Sequence, residues 1–293
     1  MLTKINQITT PDLIEIDKLL EKCRAADGNT IPIYRHLIEK RHPLNCNLLH
    51  YINNNLIAYL RSFFFYSDAC EITLMVDPQY RRKKIATTLL NEITPMLRHE
   101  GIKKLIFSTP AKINSKWLEK LGLAYKNSEF HMKYDLNKSN SEIKTIPGKI
   151  RLASSQDIPD LCKIDFSAFP NKKADPDNLF QNLLKTANCT IFVLTLNDAT
   201  IGKAHIFTEP DKVRLTDIGI LPEFRSQGFG SALIKQCIKH ALVRNKSNIV
   251  LDVETSNEGA LKLYQNLGFD IINSHDYWTT TSESDNFGLN GIL

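Results

Sequence analysis

The residues with the clearest chemical potential are Arg225-Ser226-Gln227-Gly228-Phe229-Gly230, which follow an apolar run and Pro222 and open a segment of helical spacing. The first N–H groups of a helix have no partner within it and sit at the positive end of its dipole, so a helix start binds an anion. Glycines there let the backbone approach a phosphate where a Cβ would intrude. Arg225 adds a permanent positive charge beside them. Two other phosphate loops fail on the residues. A P-loop closes on Gly-Lys-Ser/Thr, whereas this one runs Gly230-Ser231-Ala232. A dinucleotide fingerprint needs a small residue at position 233, which is Leu, and opens its domain instead of following several elements. At this level a purely structural strand–helix turn stays open.

A second stretch stands downstream, from Leu251-Asp252-Val253-Glu254 through Asn257-Glu258-Gly259-Ala260-Leu261 to Tyr264-Gln265-Asn266-Leu267-Gly268-Phe269. Together the two stretches resemble the coenzyme A signature of the GCN5-related N-acetyltransferases. The loop is similar to that family's Arg/Gln-x-x-Gly-x-Gly/Ala pattern, and the second stretch to its Asn, Ala, Leu-Tyr and Leu-Gly-Phe block. The likeness runs from Ile150-Arg151 to Phe269.

That resemblance implies attack of an amine on an acyl-coenzyme A thioester within a ternary complex, most simply with acetyl-CoA. Such a reaction needs a base for the ammonium, donors for the developing oxyanion and an acid for the departing thiolate. By resemblance Tyr264 is the acid, and Asn257 bonds the pantetheine arm, although as a bare residue Asn257 reads as a helix cap. Ile220, Leu221, Arg225, Gln227, Gly228, Phe229, Gly230, Ser231, Asn257 and Tyr264 are the expected cofactor contacts, with a backbone N–H near Ile220 facing the oxyanion. Asp252 stands where a glutamate serves as base in the family's ribosomal-protein alanine acetyltransferases, one methylene shorter here. Asp217, Glu254, Glu209 and Asp211 compete with it. His205, His240 and His275 show no partner pattern and read as packing or surface residues.

The elements that position these residues recur along the chain. At an offset of about 144 residues, Asp12-Leu13 answers Asp157-Ile158, and Asn54 with Ile57-Ala58 answers Asn197 with Ile201-Gly202. Val76-Asp77-Pro78-Gln79-Tyr80-Arg81 answers Ile220-Leu221-Pro222-Glu223-Phe224-Arg225, and Leu121-Gly122 answers Leu267-Gly268. Each copy reads as helix, hairpin, strand, long helix, strand, short helix and closing strands. The expected fold is therefore α/β, with two tandem GNAT-like domains, each a mixed, mostly antiparallel sheet flanked by helices. The domains are set at 1–137 and 149–293, with a polar linker at 138–148. In the second copy strands are expected at Thr190–Leu196, Ile201–Phe207, Val213–Leu221 and Asn248–Val253, with helices over Gln227–Asn245 and Glu258–Leu267.

The first copy departs from the family pattern. Lys84 takes the first glycine position of Arg81-Arg82-Lys83-Lys84-Ile85-Ala86, and Ser115-Lys116-Trp117-Leu118 replaces the Leu-Tyr pattern. The expectation is a degenerate N-terminal domain and a catalytic C-terminal one, with one loaded cofactor site per chain.

Composition narrows the classes further. With 42% apolar and 24% charged residues the chain reads as globular, and no apolar run is long enough to span a bilayer. The N-terminus lacks a signal-peptide core, so a cytoplasmic protein is expected. Six scattered cysteines, none in Cys-x-x-Cys spacing, point to reduced thiols and no metal. Residues 1–147 hold 22 Lys and Arg against 15 Asp and Glu, enough for a nucleotide phosphate but too mild to argue for nucleic acid. The acceptor is a primary amine of a small molecule or of a protein N-terminus, and oligomeric state is not readable. Candidate acceptor-side segments are the polar loop at 171–178 and His275-Asp276-Tyr277-Trp278. The alternative reading is a non-catalytic acyl-CoA sensor, which keeps the loop and lacks a working base.

Overall fold

The computed structural model describes residues 1–138, 146–168 and 176–280, and the chain folds as two compact units. In the first unit, β1 (Leu2–Ile5) leads into α1 (Thr10–Asp27) and the short α2 (Arg35–Ile38). Thr9 caps α1 in a capping box with Asp12, Pro11 sits in its first turn, and Gly28 ends it at a φ of 76°. Strands β2 (Asn47–Ile52), β3 (Asn55–Phe63) and β4 (Ala69–Val76) then pair antiparallel. Helix α3 (Ile85–His99) carries the chain to β5 (Lys104–Pro110), parallel to β4, and α4 (Ser115–Lys120) and β6 (Leu123–Tyr134) follow. Strand β3 is buried on both faces. Ile57 and Leu60 pack with Leu89, Leu90 and Ile93 of α3, while Leu56, Tyr59 and Phe63 pack with Ile16 and Leu19 of α1.

The second unit repeats the plan with β7 (Lys149–Leu152), α5 (Ile158–Ala168), α6 (Pro176–Lys185), β8 (Cys189–Leu196), β9 (Ala199–Thr208) and β10 (Val213–Ile220). It continues through α7 (Phe229–Val243), β11 (Ile249–Glu254), α8 (Glu258–Asn266) and β12 (Phe269–Thr280). Strands β8, β9 and β10 pair antiparallel in order, and β11 lies parallel to β10. The repeat extends to the turns. Asn53 and Asn54 have φ of 49° and 60°, and Asn197 and Asp198 have 48° and 63°. Two consecutive positive φ values make the hairpin turn whose twist suits the flanking strands, and Asn and Asp tolerate it.

The units are not the two contiguous stretches expected at 1–137 and 149–293. The first comprises residues 1–130 and 254–256 together with the chain from Asn273, and the second comprises 131–253 and 257–272. Strand β12 supplies the reason. Residues His275–Thr279 pair antiparallel with Pro110–Ile106 of β5, and Trp278 fills the core beneath α3. A free edge on β5 would expose a row of unpaired backbone groups, and this strand satisfies them. Of the linker read at 138–148, residues 139–145 lie outside the described residues, as do 171–175 of the polar loop and 281–293 of the tail.

All six cysteines are free thiols, and burial pushes those of Cys70 and Cys237 up to about 12. Among the described residues no helix is long and apolar enough to cross a membrane.

Candidate acyl-coenzyme A site

The loop between β10 and α7 has the conformation its glycine suggests. Ser226 and Gly228 adopt φ of 60° and 87°, so the chain turns sharply and α7 starts at Phe229. The first intrahelical bond runs from the Ala232 N–H to the Gly228 carbonyl at 3.1 Å. The amides of Phe229, Gly230 and Ser231 precede it and present the positive end of a 15-residue helix. Arg225 donates through Nε to the Ile220 carbonyl at 3.0 Å, which ties the loop to the strand end, and its side chain is otherwise exposed. Gln227 is also exposed and donates to the Glu223 carbonyl at 3.1 Å.

Three segments converge on Gly230. A Cβ built there would lie 3.6 Å from Leu263 Cδ2 of α8 and 3.9 Å from Ile220 Cγ1 of β10. The helix start, the strand end and the helix carrying Tyr264 therefore meet at one place. Tyr264 is buried beside Phe269, with ring centroids 6.0 Å apart, and burial pushes its phenol up to about 12. A phenol so shifted holds its proton throughout the neutral range, as an acid must before it acts.

Other expected contacts are spoken for by the fold. The Leu221 N–H donates to the Ile201 carbonyl at 2.9 Å and its side chain is buried, so it offers no donor to an oxyanion. Phe229 is likewise buried, with its ring edge-on to Phe224. Asn257 caps α8, its Oδ1 accepting from the Ala260 N–H at 3.1 Å. The cap reading of Asn257 is therefore real, and its carboxamide NH2 is what remains for a ligand.

Asp252 is engaged by two basic side chains. One carboxylate oxygen accepts from Arg214 and the other faces His131 Nδ1 at 2.6 Å. Both oxygens are thus held in a surface ion-pair cluster, which Glu209 joins through Arg214 and Lys212. Glu254 lies in the first unit, where it accepts from Asn127.

What the sequence did not single out is a bulge in β10. Thr216 pairs with His205 and Gly219 with Lys203, so Asp217 and Ile218 together oppose Ala204. Asp217 takes a φ of 51°, unusual for a non-glycine residue and costly enough to need support from its surroundings. Bulges re-aim side chains and cluster beside active sites. In the first unit β4 pairs with β3 through six residues in unbroken register. No side-chain periodicity announces such an insertion; only the pairing reveals it.

The first unit's loop copies the backbone without the glycine. Arg82 and Lys84 hold φ of 61° each, Arg81 Nε donates to the Val76 carbonyl at 3.1 Å, and the Thr88 N–H reaches the Lys84 carbonyl at 2.9 Å. The charge differs. Arg81 forks onto Asp27 at 2.7 and 2.8 Å, which neutralises it, while Arg225 stays exposed. Beside this loop is a cleft of about 640 Å³, lined among others by Cys23, Val76, Lys84, Lys112 and Trp117.

Comparison with known proteins agrees with this geometry. A sequence profile described as the acetyltransferase (GNAT) family matches residues 13–122 and 157–269. An uncharacterized N-acetyltransferase of Methanocaldococcus jannaschii is 27% identical over 135 residues, covering 41% of this chain and 60% of that protein. The [ribosomal protein bS18]-alanine N-acetyltransferase of Escherichia coli is 32% identical over 96 residues, covering 32% of this chain and 65% of the enzyme. The chain thus spans under two thirds of the length of these two relatives. Among solved structures, a GCN5-related N-acetyltransferase from Sphaerobacter thermophilus superposes with a TM-score of 0.77 at 16% identity, covering 95% of this chain and 94% of that one. A tandem GNAT protein from the clavulanic acid biosynthesis pathway gives 0.66 at 12% identity, covering 97% and 99%. With both copies matched by the profile and the tandem fold shared, this chain belongs to the acetyltransferase (GNAT) family.

Proposed function

We propose that the protein is an acyl-coenzyme A-dependent N-acyltransferase that uses acetyl-CoA and works from its second unit. The observation that carries this reading is the convergence at Gly230 of an anion-binding helix start, the end of β10 and the helix bearing Tyr264. The residues fit the cofactor, since Gly228 at a φ of 87° leaves a cradle with no Cβ beside exposed Arg225. The amides of Phe229, Gly230 and Ser231 would hold the pyrophosphate with Arg225 and Gln227 beside it, and the Asn257 carboxamide NH2 would reach the pantetheine arm. When bound, acetyl-CoA supplies an activated thioester. Tyr264, protonated to about pH 12, is poised to give its proton to a thiolate. The acceptor is a primary amine of a small molecule or a protein N-terminus; the name of the Escherichia coli relative, an alanine N-acetyltransferase, favours including peptide N-termini.

The test pairs calorimetry with turnover. Acetyl-CoA should bind with one equivalent per chain, and coenzyme A thiol should be released with some member of a panel of alkylamines, polyamines and alanine-terminated peptides. Tyr264→Phe should keep binding and lose about 10²-fold or more in kcat. Binding without turnover by any amine would leave a sensor instead of an enzyme. The cleft beside Lys84 favours one second reading, a non-catalytic nucleotide site in the first unit. A second equivalent that survives Gly228→Lys and disappears with Lys84→Glu would establish it.

A further inference from the structure

The helix that carries Tyr264 rests on a segment from the first repeat. From His131 onward β6, the closing strand of the first copy along the sequence, belongs to the second unit. Its last residue, Tyr134, is buried, and its ring centroid lies 5.4 Å from that of Phe269 at an interplanar angle of 56°. Phe269 is buried in turn, and its ring meets that of Tyr264 at 6.0 Å and 65°. Both separations fall where tilted and edge-to-face rings attract, about 4.5–7 Å. Tyr134, Phe269 and Tyr264 thus stand in one row, which begins on β6 and ends on α8.

Backbone contacts hold the row in register. Gly268 follows α8 at a φ of 93°, and a Cβ there would lie 3.3 Å from Tyr134 Cε2 and 3.3 Å from Lys138 Cβ. Glycine lets the turn take that angle and approach the Tyr134 ring so closely. The Asp135 N–H donates to the Gly268 carbonyl at 2.8 Å, and the Leu267 N–H donates to the Tyr264 carbonyl at 3.0 Å. A short path of hydrogen bonds and ring contacts therefore ties the end of β6 to the turn of α8 that carries Tyr264. The charged groups around it are engaged with neighbours. Lys138 Nζ pairs with Asp270 at 2.6 Å, and Asp135 Oδ1 accepts from the Asn137 N–H at 2.9 Å. Burial alone raises the Tyr264 phenol, and no charged side chain contributes.

We infer that Tyr134 is a positioning residue for the second unit: through Phe269 it holds the Tyr264 ring in place and keeps water from its buried side. The inference rests on the acyltransferase reading above, in which Tyr264 gives its proton to the departing thiolate. When the C–S bond breaks, its electron pair goes to sulfur and the phenol proton joins it. That transfer depends on where the ring stands, and a displacement of about 1 Å can cost about 10²-fold in rate. Water admitted beside the ring would also stabilise the phenolate, so the acid would lose its proton at lower pH. The first repeat then serves catalysis without a cofactor of its own, by lending the end of β6 to the wall behind Tyr264.

The experiment titrates the Tyr264 phenol in protein carrying [ζ-13C]tyrosine, its resonance assigned by its loss in Tyr264→Phe, and follows thiol release with the best amine of the panel. Tyr134→Ala should bring the phenol down from about 12 toward the ordinary tyrosine value of about 10, and bring the alkaline limb of kcat down with it. It should lose about 10-fold in kcat near neutral pH, while acetyl-CoA affinity by calorimetry stays that of the parent. Tyr134→Phe, which keeps the ring, should restore both the titration and kcat. If circular dichroism shows that Tyr134→Ala does not fold, Tyr134→Leu, which keeps much of the volume without the ring, should shift both in the same direction. A purely structural role would lower the melting temperature and leave the Tyr264 titration where it is. Turnover in the parent with an unmoved titration and kcat profile in these variants would overturn the inference and leave the acyltransferase reading intact. Absence of turnover in the parent would instead defeat that reading, and this inference with it.

Discussion

At the residue scale the decisive feature is a backbone angle. Gly228 sits at a φ of 87°, and its counterpart Lys84 reaches only 61° in a loop of the same shape. A lysine at 228 would pay left-handed strain of about 1 kcal/mol or more and project a Cβ into the cradle. Gly228→Lys is therefore expected to weaken acetyl-CoA binding at least 10²-fold by calorimetry with little loss of thermal stability; undiminished affinity would refute the role given to the glycine. The type and place of Gly228, Gly230 and Tyr264 were readable because glycine spacing and a nearby helix start are local properties. Asp252 was placed by likeness of position along the strand, and sequence position carries no record of Arg214 and His131 closing on it.

At the element scale, α5 depends on what precedes it. Ser154 and Asp157 form a capping box, and Arg151 forks onto Asp157 at 2.8 and 2.7 Å. The Arg151 guanidinium, with the Ser154 N–H and hydroxyl, lowers the Asp157 carboxyl from 3.8 to about 2. A carboxyl depressed on folding stabilises above its unfolded value and loses that contribution as pH falls through its folded one. Denaturant midpoints should then decline between about pH 4 and pH 2 in the parent, and Asp157→Asn should cost about 1 kcal/mol at neutral pH and flatten this window. A parent and variant with parallel profiles would count against the pair. Helix and strand positions in this half were legible to within about two residues, because α7 and the strands β8 to β11 bury faces with clear periodicity. The bulge at Asp217 was not, since an inserted residue leaves the strand's composition unchanged and shows only in its partner's register.

At the scale of the whole molecule, the first unit needs the end of the chain. Trp278 packs with Leu105, Phe107, Leu118 and Leu123 in the core under α3, and its strand covers β5. A fragment of residues 1–148 is expected to aggregate or unfold well below the intact protein's melting temperature, measured by calorimetry and size-exclusion chromatography. Trp278→Ala in the full chain should destabilise that unit by about 3–5 kcal/mol. A fragment as stable as the intact chain would contradict the role of β12.

The sequence alone determined that two copies of one α/β plan stand in tandem and that the second keeps a Gly-x-Gly turn at the start of a helix, which the first lacks. Those features rest on periodicity, turn chemistry and spacing, which act over a few residues and are written in order along the chain. Tertiary structure alone decided that Arg214 and His131 close on Asp252, that β10 carries a bulge at Asp217, and that β12 closes the first unit. Each of these depends on which segments meet in space.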